Sequence, residues 1–458
     1  LTLNPKVAGN EAYTLTVNDK QVTIVGSTAA GVFYGVQTLR KSLPISETNP
    51  KTPQNLQEVS LPAVQISDSP LFGYRGVMLD CSRHFFSVDF IKRYIDILAM
   101  HNINTFHWHL SDDQGWRIEI KKYPKLTEIG SKRSGTVVGH NSDVDDNIPY
   151  GGYYTQEDAK EIVRYAQQRH ITVIPEIDLP GHTRALLAAY PEMGCTQGPY
   201  EVGHNWGVYE DVLCLGNENI YPFLQDIIDE LIPIFPAPYF HIGGDEAPTT
   251  RWQNCDRCKA LAQKQGVSPK HLQGGFTNRL EKYINSKGKK IIGWDEILEG
   301  DINPSATIMS WTGVTPGVKA AKAGHDVIFS PGEYAYIDHY QTKEIHKEPK
   351  AIGGYLPVEK VYSFNPLPDT LSVEARKHII GVQANLWTEY VPYETQAEYM
   401  LLPRVAALAE VQWLPVNKKD YDAFHKRLTR LARLYDRYGF TYALHAWPER
   451  YNHQRSVW

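Results

Sequence analysis

Nowhere in these 458 residues is there an apolar run of the roughly 18 residues that a membrane-spanning helix needs. Charge of one sign is also in short supply. The formal net charge is −5 and no basic run could line a phosphate backbone, which argues against a nucleic-acid partner. Cysteine is scarce, with Cys81, Cys195, Cys214, Cys255 and Cys258 making up the five. Cys255-x-x-Cys258 is half the ligand set of a zinc ribbon, and no His or second Cys pair follows at suitable spacing. A disulfide or free thiols therefore reads better than a metal. Cys195 and Cys214 flank a Gly-rich, aromatic loop that a disulfide could staple, which would suit an exported protein, secreted or periplasmic. Acceptors for N-linked glycans are missing too, because the single Asn-x-Ser, Asn303-Pro-Ser, is blocked by its proline.

What is present is an ordinary globular composition, 42% hydrophobic and 22% charged, long enough for one large domain and a small one. The 28 Tyr and 10 Trp are as common in sugar-binding proteins as in large cores, so the count alone decides nothing. Residues 13–17 and 21–25 alternate around Asn18-Asp-Lys as a hairpin. Residues 29–43 put Val32, Phe33, Val36 and Leu39 on one helical face, a Pro/Ser/Thr/Asn-rich segment runs to about residue 60, and 61–66 reads as one more strand. We expect a small α/β domain over residues 1–68, with its sheet incomplete at Leu1, packing on a larger domain over 69–458.

From Tyr74 onward the pattern becomes strand, loop, helix, repeated. Strands are expected at 75–80, 104–110, 171–178, 239–243, 290–294, 306–311, 326–330 and 379–387. Helical patterns fill 88–101, 156–169, 218–234, 270–286, 316–323 and 395–412, with a closing helix at 419–437. Eight such strands match a (β/α)8 TIM barrel with insertions. A doubly wound sheet is the alternative, but no Gly-rich phosphate fingerprint follows the first strand.

Chemistry-bearing residues gather at the expected strand ends, the face where barrels build their sites. Arg75 lies on the first strand, and Asp178 and His182 end the third. Asp245 and Glu246 follow Gly243-Gly244 on the fourth, Trp294 and Trp311 end the fifth and sixth, and Trp387 and Glu389 the eighth. Adjacent carboxylates raise the cost of ionising both, which can keep one as an acid beside one that is a base. A solvated acidic turn is the bland alternative for Asp245-Glu246, and core packing the bland alternative for the tryptophans. Three tryptophans at one rim suit an apolar pocket or sugar-stacking walls better. His107-x-His109 could begin a metal site, but the later strands offer Trp and Ser where further ligands would be needed.

The segments HWHLSDDQGWRIEI (107–120), PEIDLPGH (175–182), HIGGDE (241–246), GWDEI (293–297) and NLWTE (385–389) together resemble glycoside hydrolase family 20, the β-N-acetylhexosaminidases. Tyr74-Arg-Gly76 and Arg83-His84 extend the likeness, and EYAYIDHY (333–340) matches the family's tyrosine-bearing loop more loosely. The resemblance implies release of terminal β-linked GlcNAc or GalNAc by substrate-assisted retention, and we expect no cofactor and no metal. It implies Glu246 as general acid and base, Asp245 orienting the acetamido N–H, and Tyr336 holding its oxygen; Asp178 and His182 are expected to contact the substrate. Trp294, Trp311 and Trp387 would enclose the acetamido methyl, while Arg75, Asp338 and Glu389 bind hydroxyls. A metal-dependent hydrolase using His107 and His109, or a non-catalytic glycan-binding barrel, are the competing readings.

Overall fold

The computed structural model describes residues 1–43 and 59–450. Most of the Pro/Ser/Thr/Asn-rich segment expected up to residue 60 lies outside the described residues. The small domain begins with β1 (Thr2–Leu3), β2 (Tyr13–Val17) and β3 (Val22–Gly26), followed by a helix over Ala29–Ser42 and β4 (Val64–Asp68). Its sheet has the order β1-β3-β2-β4, with β1 parallel to β3 and the other pairs antiparallel. Thr28 caps the helix by accepting the Gly31 N–H, one of the donors a helix start leaves unpaired. Tyr13, Leu15, Ile24 and Tyr34 are buried between helix and sheet, together with Trp413 from the large domain.

Eight parallel strands then close into a barrel: β5 (Tyr74–Asp80), β6 (Thr105–His109), β7 (Thr172–Glu176), β8 (Tyr239–His241), β9 (Lys290–Trp294), β10 (Thr307–Ser310), β11 (Val327–Phe329) and β12 (Ile379–Leu386). β12 pairs back with β5 over six residue pairs, which completes the ring. β5 is buried at every position because a barrel strand is covered on both faces, so apolar residues run on where a half-exposed strand would alternate. Capping sets several helix starts. Ser87 accepts the Phe90 N–H for Val88–Met100, and Thr155 with Asp158 forms a capping box for Gln156–Gln167.

The structure refines the sequence reading in three places. The single helix expected over 395–412 is two, Glu394–Leu401 and Arg404–Trp413, because Pro403 has no N–H to continue the first. The seventh unit carries only short helices, such as Val358–Ser363 and Val373–Arg376. Cys195 and Cys214 are not disulfide-bonded; all five cysteines are free thiols.

The barrel interior is part apolar and part polar. Tyr74, Met78, Ile174, Ile292 and Met309 fill much of it. Above them Glu176, wholly buried, accepts the Trp294 indole N–H at 2.9 Å and lies 2.5 Å from His109 Nδ1 and 2.8 Å from His107 Nε2. A buried carboxylate is tolerated only when its lone pairs are satisfied in this way. His107 also contacts Gln383 at 2.9 Å, and His109 contacts Asp112 at 2.9 Å. Both histidines are thus engaged in the hydrogen-bonded floor beneath the strand ends.

Candidate active site

The turn after β8 is built by conformation. Gly243 and Gly244 have φ of 68° and 102°, in the left-handed region that favours glycine. A Cβ on Gly243 would fall 1.8 Å from Asp178 Oδ1, and one on Gly244 would fall 2.4 Å from Ile297. Asp178 accepts the Gly244 N–H at 3.1 Å and is otherwise sealed beneath the turn, where burial and Asp245 push its carboxyl well above the usual range. It supports the turn and does not line the cavity, which corrects its expected contact with substrate. Glu246 itself sits at φ 47°, a conformation that costs on the order of 1 kcal/mol or more in a non-glycine residue and marks a constrained site.

Asp245 and Glu246 open onto a cavity of about 730 Å³ at the carboxyl ends of the strands. Its lining includes Arg83, His182, Trp311, Tyr336, Asp338, Trp387 and Glu389. The Asp245 side chain is nearly buried, whereas that of Glu246 is 42% exposed. His182 faces both, with Nε2 at 3.7 Å from Asp245 and 3.5 Å from Glu246. Its other nitrogen lies 2.9 Å from Asp113 and 3.3 Å from Asp112. Burial alone would disfavour its charged form, but Asp112, Asp113 and Glu246 hold its pKa well above that of a free histidine. The hydrogen bond from His182 holds Glu246 below the usual carboxylate range, while burial pushes Asp245 up to about 6 against the pull of His182. Glu296, which accepts the Glu246 N–H at 3.2 Å and the Trp311 indole N–H at 2.9 Å, is raised to about 7 by burial and by Asp245.

Three aromatic side chains and a set of unpaired acceptors complete the cavity. Residues 332–340 run beside β12, where Ile337 donates to the Asn385 carbonyl at 3.0 Å, and this brings Tyr336 and Asp338 to the mouth. The Tyr336 and Trp311 rings stack at 5.9 Å and 21°. Trp387 stands edge-on to His109 at 5.0 Å. Trp294 is 1% exposed, one layer below, 5.8 Å from Trp387. Asp245 Oδ1 and both carboxylate oxygens of Asp338 are buried without a hydrogen-bond partner, an expensive condition that a ligand donor would relieve. Burial and the nearby Glu389 push Asp338 well above the usual range.

Arg75 is not here. As the second residue of β5 it lies at the opposite end of the barrel, 1% exposed, with its guanidinium on Glu11 of the small domain at 2.8 and 3.0 Å. The Tyr34 and Trp413 rings enclose it, each 5.1 Å from the guanidinium carbon. Arg83, just past the carboxyl end of β5, is the arginine at the mouth. It binds Asp112 at 2.9 Å and Asp80 at 3.2 Å, and reaches Glu389 at 3.6 Å. Position on the strand is the signal that separates the two, since a residue that starts a barrel strand points to the stability face. Sequence reasoning misses Asp113 and Glu296 as well. Both lie inside family-like segments, but only the fold shows which neighbour each one meets.

With this geometry established, comparison with known proteins decides the family. Residues 72–416 match the model for "Glycosyl hydrolase family 20, catalytic domain", and residues 1–69 that for "Glycosyl hydrolase family 20, domain 2". The chain belongs to glycosyl hydrolase family 20. It is 47% identical over 434 residues to a beta-hexosaminidase of Porphyromonas gingivalis, covering 94% of this chain and 54% of that protein. A beta-hexosaminidase of Vibrio furnissii is 37% identical over 402 residues, covering 87% and 64%. The chain therefore spans less than two thirds of the length of either relative. Among solved structures, the GH20 exo beta-N-acetylglucosaminidase of Vibrio harveyi in complex with N-acetylglucosamine superposes with a TM-score of 0.84 at 34% identity, covering 97% of this chain and 69% of that one.

Proposed function

We propose that this family 20 barrel is a glycoside hydrolase that removes single β-linked N-acetylhexosamines from non-reducing ends, with the substrate's acetamido group as nucleophile. The observation that carries the reading is Asp245, whose buried, unpartnered oxygen lies beside Glu246 in a cavity walled by Trp311, Tyr336 and Trp387. An amide N–H satisfies that oxygen, and the aromatic walls suit the methyl group attached to the same amide. The names of the relatives, beta-hexosaminidases and an exo beta-N-acetylglucosaminidase, support the same substrate class.

In the reaction, the acetamido oxygen attacks the anomeric carbon as the glycosidic C–O bond breaks. Glu246 gives its proton to the departing oxygen. Asp245 accepts the acetamido N–H and stabilises the positive charge that grows on the oxazolinium ring. Water then adds to the anomeric carbon and gives a proton to the Glu246 carboxylate, and the ring reopens to the acetamide with retained configuration. Tyr336 directs its hydroxyl to the acetamido oxygen, while Arg83, Asp338 and Glu389 hold ring hydroxyls of the terminal sugar. This departs from the two-carboxylate retaining scheme because no protein nucleophile is needed.

The test is hydrolysis of an aryl N-acetyl-β-glucosaminide, its galactosaminide partner and the matching β-glucoside. The proposal expects turnover of at least one acetamido sugar and negligible turnover of the glucoside. Equal turnover of the glucoside would count against it.

A further inference from the structure

Four of the five cysteines converge at one point outside the cavity. Cys195 follows the 3-10 turn Pro191–Met193, and Cys214 lies opposite it, its N–H donating to the Met193 carbonyl at 2.8 Å. Cys255 and Cys258 come from the start of the helix Asp256–Gln265. Sγ–Sγ distances are 3.7 Å for Cys214–Cys255, 3.7 Å for Cys214–Cys258 and 3.8 Å for Cys195–Cys258, and the four sulfurs all lie within 4.8 Å of one another.

We propose that Cys195, Cys214, Cys255 and Cys258 form a closed structural zinc site that ties the loop after β7 to the loop after β8. A zinc ion with four sulfurs at about 2.3 Å makes a tetrahedron with edges of about 3.8 Å, the spacing the three closest pairs already have. Two disulfides would need bonds of about 2.05 Å between exclusive partners. Here Cys214 is equally near Cys255 and Cys258, and Cys258 is also near Cys195, so no exclusive pairing stands out.

The surroundings suit a thiolate cluster. Binding Zn²⁺ releases the thiol protons to water and leaves a group of net negative charge. The Arg257 guanidinium lies beside the cluster, donating to the Gly194 carbonyl at 3.1 Å. Cys258 also lies in the first turn of its helix, whose exposed N–H groups favour negative charge. The turn at Gly216 is pressed so close to that helix that a Cβ there would fall 2.2 Å from the Arg257 backbone. Cys214 and Cys258 are buried, and Trp252 beneath them is buried and donates to the Leu213 carbonyl at 2.9 Å. The coordination shell is closed, so the ion has no open position for chemistry. Its role is to fix two loops that flank His182 and Glu246.

The experiment measures metal in the whole chain, purified without chelators or an affinity tag that binds metal. Elemental analysis is expected to give one zinc per chain, released in step with titration of four thiols by a mercurial. Replacement by Co²⁺ is expected to produce sulfur-to-metal charge-transfer bands and the visible bands of tetrahedral coordination. Cys195→Ser with Cys214→Ser should lose the metal, and Cys81→Ser should keep it. If the double variant does not fold, the Co²⁺ spectrum of the unaltered protein decides alone. A protein that binds neither zinc nor Co²⁺, a mass lower by four hydrogens from two disulfides, iron in place of zinc, or zinc retained in a folded double variant would each overturn the proposal.

Discussion

Asp245 and Glu246 are neighbours in sequence and opposites in surroundings. Asp245 is buried with one oxygen unpaired, so its carboxyl holds a proton up to about pH 6, while Glu246 is half open to water and held low by His182. In the free site the last proton of the pair therefore favours Asp245. In the proposed reaction a sugar in the cavity reverses that order, because it takes water away from Glu246 and sets an N–H donor against Asp245, favouring its ionised form. The competent pair carries one proton, wherever that proton rests before substrate arrives. As pH rises through about 6 the free enzyme loses that proton, so kcat/KM is expected to fall above about pH 6 and to decline again in acid once both groups are protonated. A profile of kcat/KM that stays flat from pH 5 to pH 8 would contradict this.

The same scale gives a test of the acid. Glu246→Gln cannot protonate a leaving oxygen, and general acid help is worth about 10²–10⁴-fold. Hydrolysis of disaccharides should fall by that factor, while aryl glycosides with strongly acidic leaving groups should lose far less. Equal losses in both substrates would mean that Glu246 has another task.

At the scale of the element, β5 carries one function at each end. Its first residues join the two domains through Arg75 and Glu11, and just past its last residue Arg83 reaches the cavity. Although burial alone would raise it, the Arg75 hydrogen bond and charge hold the Glu11 carboxyl below its usual range. Arg75→Met takes the cation from Glu11, leaving it only the neutral donors Tyr34 and Asn104, and should cost about 3 kcal/mol of stability in urea unfolding, the low end for a buried pair. The kcat/KM of the molecules that remain folded should be unchanged. Arg83→Lys keeps the charge but loses the planar fork, and should lower kcat/KM by about tenfold or more, the worth of one charged hydrogen bond. If instead the Arg75 variant is stable and inactive, the assignment of the two arginines is reversed.

Sequence alone separates these elements well and their ends poorly. Unbroken apolar runs such as Val77-Met-Leu79 and Ile291-Ile292 read as buried parallel strands, and the strand–helix alternation points to the barrel. Arg75 reads as a site residue because a strand pattern does not announce which end faces the loops until residues such as Asp80 and Arg83 are counted along it. Asp178 misleads for the opposite reason. It does follow a strand's carboxyl end, but the glycines of the next turn close over it.

At the scale of the molecule, the site is a composite that no local pattern contains. Asp113, His182, Glu246 and Glu296 come from four different segments, and only barrel closure sets them side by side. The cysteines are the same case, since two upstream thiols meet a Cys-x-x-Cys that lies well beyond them in sequence. The HIGGDE and DDQGWR segments are legible because their chemistry is contiguous in sequence. Arg83, Asp338 and Glu389 also line the cavity, with polar groups enough to take up the hydroxyls of one terminal sugar in the proposed reaction. Chitooligosaccharides should therefore be shortened by single sugars from the non-reducing end. Dimers or longer fragments among the first products, resolved by mass spectrometry, would rule that geometry out.

The central claim is that the nucleophile belongs to the substrate, and its most direct test changes only that atom's reactivity. Aryl glucosaminides bearing N-acetyl, N-fluoroacetyl, N-difluoroacetyl and N-trifluoroacetyl groups differ in how much electron density fluorine withdraws from the carbonyl oxygen. If that oxygen attacks the anomeric carbon, each fluorine should raise the barrier by on the order of 1 kcal/mol, and kcat/KM should drop several-fold at every step. A rate that does not change across the series would mean that a protein group attacks instead, and substrate assistance would be excluded.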